Sequence, residues 1–183
     1  MTLYRNQYRI ESARLNGWDY RNPGGYFVTI CTREHQCYFG DIQKDSMMLN
    51  FLGDYARHCW AQIPLHFPNA ALDQFVIMPN HVHGIIVLHN KDYTPVVRDM
   101  VKDDGSLKCR VMSGISPLPQ SLAVIVRSFK SAVTRWANEQ QIPFAWQARF
   151  HDHIIRDEQE WGRISDYIVK NPRNWKKDKF YKR

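Results

Sequence analysis

The sequence predicts an α+β fold, a ferredoxin-like sandwich with an antiparallel-centred sheet and helices packed on one face. Three observations carry this reading. Runs rich in β-branched and aromatic residues alternate with amphipathic stretches in the order β-α-β-β-α-β-α. The two middle strand runs are separated only by the turn pair Pro79-Asn80. At 183 residues, 44% of them hydrophobic, the chain is long enough to bury one proper core.

Taken in order, "GGYFVTICT" (Gly24–Thr32) follows a Pro-Gly-Gly turn and reads as a strand. "SMMLNFLGDYARHCWAQI" (Ser46–Ile63) spaces its apolar residues at three and four, which predicts a helix with Ser46 as its N-cap. "LDQFVIM" and "HVHGIIVL" are the paired strand runs on either side of Pro79-Asn80. Residues 90–120 lack periodicity and hold scattered Pro, Gly, Asp and Lys, the pattern of a long mobile insertion. "SLAVIVRSFKSAVTRWANEQQ" (Ser121–Gln141) is an amphipathic helix, "RFHDHIIRD" (Arg149–Asp157) a strand, and "EQEWGRISDYIVKNP" (Glu158–Pro172) a helix closed by Asn171-Pro172. The chain thus reads as a single domain over 1–183, with a basic N-terminal arm (1–23) and a basic C-terminal tail (173–183).

Composition narrows the function classes. No apolar run approaches the roughly 20 residues that span a bilayer, and the N-terminus has arginines but no apolar core, so neither a membrane protein nor a signal peptide is expected. Cys31, Cys37, Cys59 and Cys109 form no C-x-x-C pair and no metal-ligand spacing, which fits reduced thiols in a cytoplasm. The net charge of +7 favours a polyanionic partner.

Two motifs carry chemistry. In "FVIMPNHVHGIIVL", His81 and His83 stand two apart on a strand and so project from the same face. Two neutral imidazoles so placed can share a divalent metal, although hydrogen-bonded histidines in a strand have the same spacing. In "DYIVKN", Tyr167 and Asn171 stand four apart and share one helix face. A phenol can act as a covalent nucleophile and an amide oxygen as a hard metal ligand, but a packed tyrosine and a helix-ending asparagine look the same in sequence.

Joined, "MPNHVHGIIVL", "WQARFHDHIIRDEQEW" and "YIVKNPRNW" resemble the REP-associated tyrosine transposases, members of the HUH superfamily of single-strand DNA nucleases and relatives of the transposases of small single-strand insertion sequences. "PGGYFVTICT" and "SLAVIVRSFKSAVTRW" are of the kind that family carries in those places, so the resemblance covers about Tyr20 to Trp175. It implies that His81, His83 and Asn171 bind Mg²⁺ or Mn²⁺ and that Tyr167 is the nucleophile. The implied reaction is cleavage of hairpin-containing single-stranded DNA through a 5′-phosphotyrosine, followed by rejoining. His153 lies in the family's H-I-I-R segment and is placed near the site as a catalytic candidate. The acceptor of the Tyr167 proton is left open among His153, Lys170 and water. His151 before Asp152 departs from the family pattern, in which an aromatic is more usual.

DNA contacts are expected from Arg127, Lys130 and Arg135 on the long helix and from Arg173, Lys176 and Lys177 in the tail, where Trp175, Phe180 and Tyr181 are interleaved with basic residues. The protein is expected as a monomer or homodimer, and Tyr167 could complete its own site or a second subunit's. Two other functions share the motifs. A barrel metal-hydrolase needs many more residues than this chain has, and a catalytically silent nucleic-acid-binding domain would keep the fold without the chemistry.

Overall fold

A computed structural model of the chain describes residues 17–89 and 120–181. Most of the N-terminal arm 1–23 and nearly all of the insertion 90–120 therefore lie outside the described residues. In chain order the elements are β1 (Gly24–Cys31), β2 (Gly40–Gln43), β3 (Ser46–Leu49), α1 (Phe51–Ala61), α2 (Ile63–His66), β4 (Ala70–Met78), β5 (His81–Leu88), α3 (Leu122–Glu139), β6 (His151–Ile155) and α4 (Glu158–Lys170). Short 3₁₀ turns follow β1 at Arg33–His35 and α4 at Pro172–Lys177.

The main sheet has the order β4-β5-β1-β6, with every neighbouring pair antiparallel. Setting aside the small β2-β3 hairpin, this is the ferredoxin-like order that the sequence predicts. Strand alternation divides the side chains between two faces. Tyr26, Val28 and Ile30 of β1 join Val82, Ile86 and Leu88 of β5 against Trp60 of α1 and Ile125, Phe129 and Val133 of α3. The opposite face places Phe27, Ile85 and Val87 against Trp161, Ile164 and Ile168 of α4. Helices on one face is thus correct for α1 and α3 only. α4 covers the other face, because its Trp161-Ile164-Ile168 stripe finds its apolar partners there.

The predicted helix Ser46–Ile63 is corrected at its start. Ser46–Leu49 pairs with Gly40–Gln43 as a hairpin. Its two-residue turn, Lys44-Asp45, takes φ of 47° and 62° at both positions, the left-handed backbone such turns need. Lacking Asn or Gly, that turn gave no signal in the sequence. The helix instead starts after Asn50, whose Oδ1 accepts from Gly53 N at 2.9 Å. α4 is capped in the same way, Asp157 Oδ1 accepting from Glu160 N at 2.7 Å.

Among the described residues, no helix is long and apolar enough to cross a membrane, and Cys31, Cys37 and Cys59 are free thiols. Gly84, in the middle of β5, is required by close approach, since a Cβ there would lie inside the Trp60 indole and against Phe75. Gly84→Ala is expected to destabilise the protein by about 1–3 kcal/mol through overpacking, read as a lowered urea midpoint.

Candidate metal and nucleophile site

β5 supplies the first two groups. Its register with β1 pairs His81 with Cys31 and His83 with Thr29, on the face that α4 covers. The two rings lie 4.4 Å apart between centroids. Each is held through Nδ1: His83 shares a 2.9 Å hydrogen bond with the Thr29 hydroxyl, and His81 Nδ1 lies 2.8 Å from Asn80 Oδ1. At 0% and 1% exposure they are the most deeply buried ionisable groups of this face. Burial pushes His81 down to about 3, helped by His35 and Lys179, and holds His83 well below the ordinary range, helped by His81 itself. Both are therefore neutral at physiological pH, the form that binds metal.

α4 supplies the next two. The Tyr167 hydroxyl lies 3.1 Å from His83 Nε2 of the same chain, and its ring packs edge-on to Phe27 at 6.1 Å. The single chain thus brings the Tyr167 hydroxyl and the two histidines together. Burial, followed by the nearby Asp178 carboxylate, pushes the Tyr167 phenol up to about 12, so it rests protonated. Its 41% exposure leaves it open to a substrate from one side. Asn171, one turn on, is 1% exposed; its Nδ2 donates to Asp178 Oδ2 at 3.1 Å.

Asp178 is the residue that sequence reasoning missed. It was visible only as one acid in a basic tail, yet its carboxylate and one nitrogen each of His81 and His83 lie within 4.8 Å of one another. The tail is not a loose strand. Pro172–Lys177 winds as a 3₁₀ helix, and Trp175 and Phe180 are buried with Cys31 and Met78. Asp178 Oδ1 accepts from Phe180 N at 2.7 Å, and the Phe180 ring sits 4.8 Å from His81. Arg173, Lys176 and Lys177 remain exposed on the outer side of this strap.

These residues fit a divalent cation. Two buried polar atoms at the site, His81 Nε2 and Asn171 Oδ1, have no hydrogen-bond partner among the described residues, a costly state that a cation would relieve. Two imidazole nitrogens, an amide oxygen and a carboxylate form a mixed donor set suited to Mn²⁺ or Mg²⁺ rather than to a closed thiolate zinc centre.

The remaining predicted residues lie elsewhere. His153 Nε2 pairs with Glu160 Oε1 at 2.8 Å, and Lys170 Nζ with Asp166 at 2.6 Å; it is His83 that the phenol meets. Arg127, Lys130 and Arg135 come together on the α3 side of the sheet, where they line a groove of about 770 Å³ with Arg33, Asn138 and Gln147. Lys130 Nζ donates to Gln147 O at 2.6 Å, and partial burial lowers its pKa. Arg33, on the turn after β1, carried no signal in the sequence.

No family model matches the chain. A REP-associated tyrosine transposase solved bound to a REP hairpin superposes with a TM-score of 0.55 at 19% identity, over 88% of this chain and 73% of that one. The fold is therefore that of the REP-associated tyrosine transposases, as the three motifs imply. A Haemophilus influenzae protein provisionally named as such a transposase is 23% identical over 154 residues, 84% of this chain and 73% of that protein. An uncharacterized protein of the same organism is 40% identical over 174 residues, 93% of this chain and 92% of its own length. The chain belongs to one family with this second protein.

The buried histidines make stability pH-dependent. In the unfolded chain both rings take up a proton as pH falls through about 6.5, whereas in the folded metal-free protein His81 stays neutral to about 3 and His83 also resists. Protons therefore favour the unfolded state, and stability rises with pH across that window. Each ring contributes a slope of about 1.4 kcal/mol per pH unit. Urea midpoints measured in EDTA from pH 7 down to 4 are expected to fall, and to fall less steeply in a His81→Gln/His83→Gln variant.

Proposed function

We propose that this protein is a transposase-type enzyme that cleaves and rejoins hairpin-containing single-stranded DNA through Tyr167, with a divalent cation held by His81, His83 and Asn171. The observation that carries this is the convergence of the Tyr167 hydroxyl and two neutral, buried imidazoles with two unpartnered donor atoms at one point. The DNA-bound relative of the same fold supports a nucleic-acid substrate.

When bound, the cation supplies Lewis-acid charge at the scissile phosphate. The protein's own groups do the rest. Tyr167 loses its proton to water or to the Asp178 carboxylate and attacks phosphorus. A P–Oη bond forms, the P–O3′ bond breaks, and the departing 3′ oxygen takes a proton. The 5′-phosphotyrosine retains the bond energy, because a phenol leaves more readily than an alkoxide, and the 3′-OH of another strand can reverse the step. Asp178 adds a fourth donor, an oxygen, and tunes the phenol. His81 and His83 are buried, with the Phe180 ring 4.8 Å from His81, and the half-exposed Tyr167 is the group of the site that a phosphate meets first.

The groove of Arg33, Arg127, Lys130 and Arg135 is assigned to the phosphate backbone, with Arg173, Lys176 and Lys177 as further contacts beside the site. Lys130 is tied to Gln147 O and also supports the groove wall.

Two measurements check this reading. On a denaturing gel, 3′-labelled single-stranded hairpin DNA with Mn²⁺ should give a protein-linked band from the parent. The band should vanish with EDTA, with Tyr167→Phe and with His81→Ala/His83→Ala. Binding without adduct across a range of hairpins would instead make it a silent DNA-binding domain. For the groove, Arg127→Ala and Arg135→Ala should each weaken binding regardless of sequence and reduce the slope of log K against log salt by about 1.

A further inference from the structure

Asn80 lies in the turn between β4 and β5 and is 0% exposed. Its side chain meets three different elements. Nδ2 is 2.9 Å from the carbonyl oxygen of His35 and 2.8 Å from that of Phe180. Carbonyl oxygens only accept, so this side of the amide must be the NH₂; flipping it would set Oδ1 against two other oxygens. That leaves Oδ1 facing His81 Nδ1 at 2.8 Å. An amide oxygen also only accepts, so Nδ1 must carry the hydrogen.

We propose that Asn80 is the positioning residue that makes His81 a metal ligand, by fixing its ring with the proton on Nδ1 and the lone pair on Nε2. The inference rests on the metal reading above. It accounts for the buried Nε2 having no partner: that atom is a bare acceptor on a ring that has one nitrogen close to His83 and Asp178. The other tautomer would aim an N–H at the cation and leave Nδ1 and Oδ1 as two facing acceptors.

His83 differs in this respect. Its Nδ1 faces the Thr29 hydroxyl, which can donate or accept and therefore imposes no tautomer. The two histidines are thus unequal: His81 is preset, and His83 adapts to what reaches it. The turn itself is anchored by backbone, Asn80 O accepting from Thr32 N at 2.9 Å and from Thr32 Oγ1 at 3.0 Å. Changes to the Asn80 side chain leave those bonds in place.

The test uses the full-length metal-free protein labelled with ¹⁵N-histidine. Nitrogen shifts should show His81 protonated on Nδ1, and Mn²⁺ affinity is then measured by calorimetry. Asn80→Ala should bind Mn²⁺ roughly 10–100-fold more weakly, the usual loss for a partner that orients a metal-bound histidine. Thr29→Val, which removes a partner that imposes no tautomer, should cost less than Asn80→Ala. Protonation on Nε2 in the parent, or unchanged Mn²⁺ affinity in Asn80→Ala, would overturn the proposal. Should Asn80→Ala fail to fold, the tautomer of the parent still decides it. A parent that binds no Mn²⁺ would instead overturn the metal reading.

Discussion

The register between β1 and β5 is the constraint on which the rest of the site depends, because in a strand a shift of one residue exchanges the two faces. With Thr29 opposite His83 and Cys31 opposite His81, both imidazoles face α4, and Val82, Gly84, Ile86 and Leu88 face α1 and α3. A slip by one would drive the histidines into the apolar core against Trp60 and expose Val82 and Ile86. Apolar side chains on both faces hold the register. So does the short turn, whose Asn80 carbonyl is tied to Thr32 at the end of β1.

Valine or isoleucine would pack more easily at positions 81 and 83. Burying an imidazole costs free energy unless its nitrogens are hydrogen-bonded, and His81 is provided for on its Nδ1 side alone. The Nε2 of His81 and the Oδ1 of Asn171 stay unpaired in the interior, each at a cost of about 1–3 kcal/mol. Departures of this kind concentrate where a site gives up local stability for function. Desolvation also keeps the rings neutral, so the burial that costs stability prepares the donors for a cation.

The fold divides its work between two layers. The candidate site lies under α4, and the cationic groove lies along α3 on the other side of the sheet. They meet at one end of β1, where Cys31, packed beneath the tail, accepts through its carbonyl from Gln147 N while Lys130 reaches Gln147 O. The tail closes the first layer. Its Trp175 and Phe180 make a small core with Cys31 and Met78, and its Asp178 carboxylate lies close to His81 and His83. A segment whose composition suggests a solvated basic strand is thus ordered by two aromatics and one acid.

The sequence by itself determined the succession of the main strands and helices, the helical positions of Tyr167 and Asn171, and the shared face of His81 and His83, because strand and helix periods follow from local apolar patterning. The β2-β3 hairpin escaped it, since Lys44-Asp45 adopts a left-handed turn without the residues that usually mark one. So did the face on which α4 lies. Only the tertiary structure decided that Asp178 joins the site, that Asn80 faces His81 Nδ1, that Arg33 joins the groove, and that His153 pairs with Glu160 instead of with the phenol. Each of these contacts joins residues whose meeting depends on how separate elements pack, or on where one side chain points once they have. Periodicity cannot specify that, because it records which face a residue occupies and not what the fold brings against it.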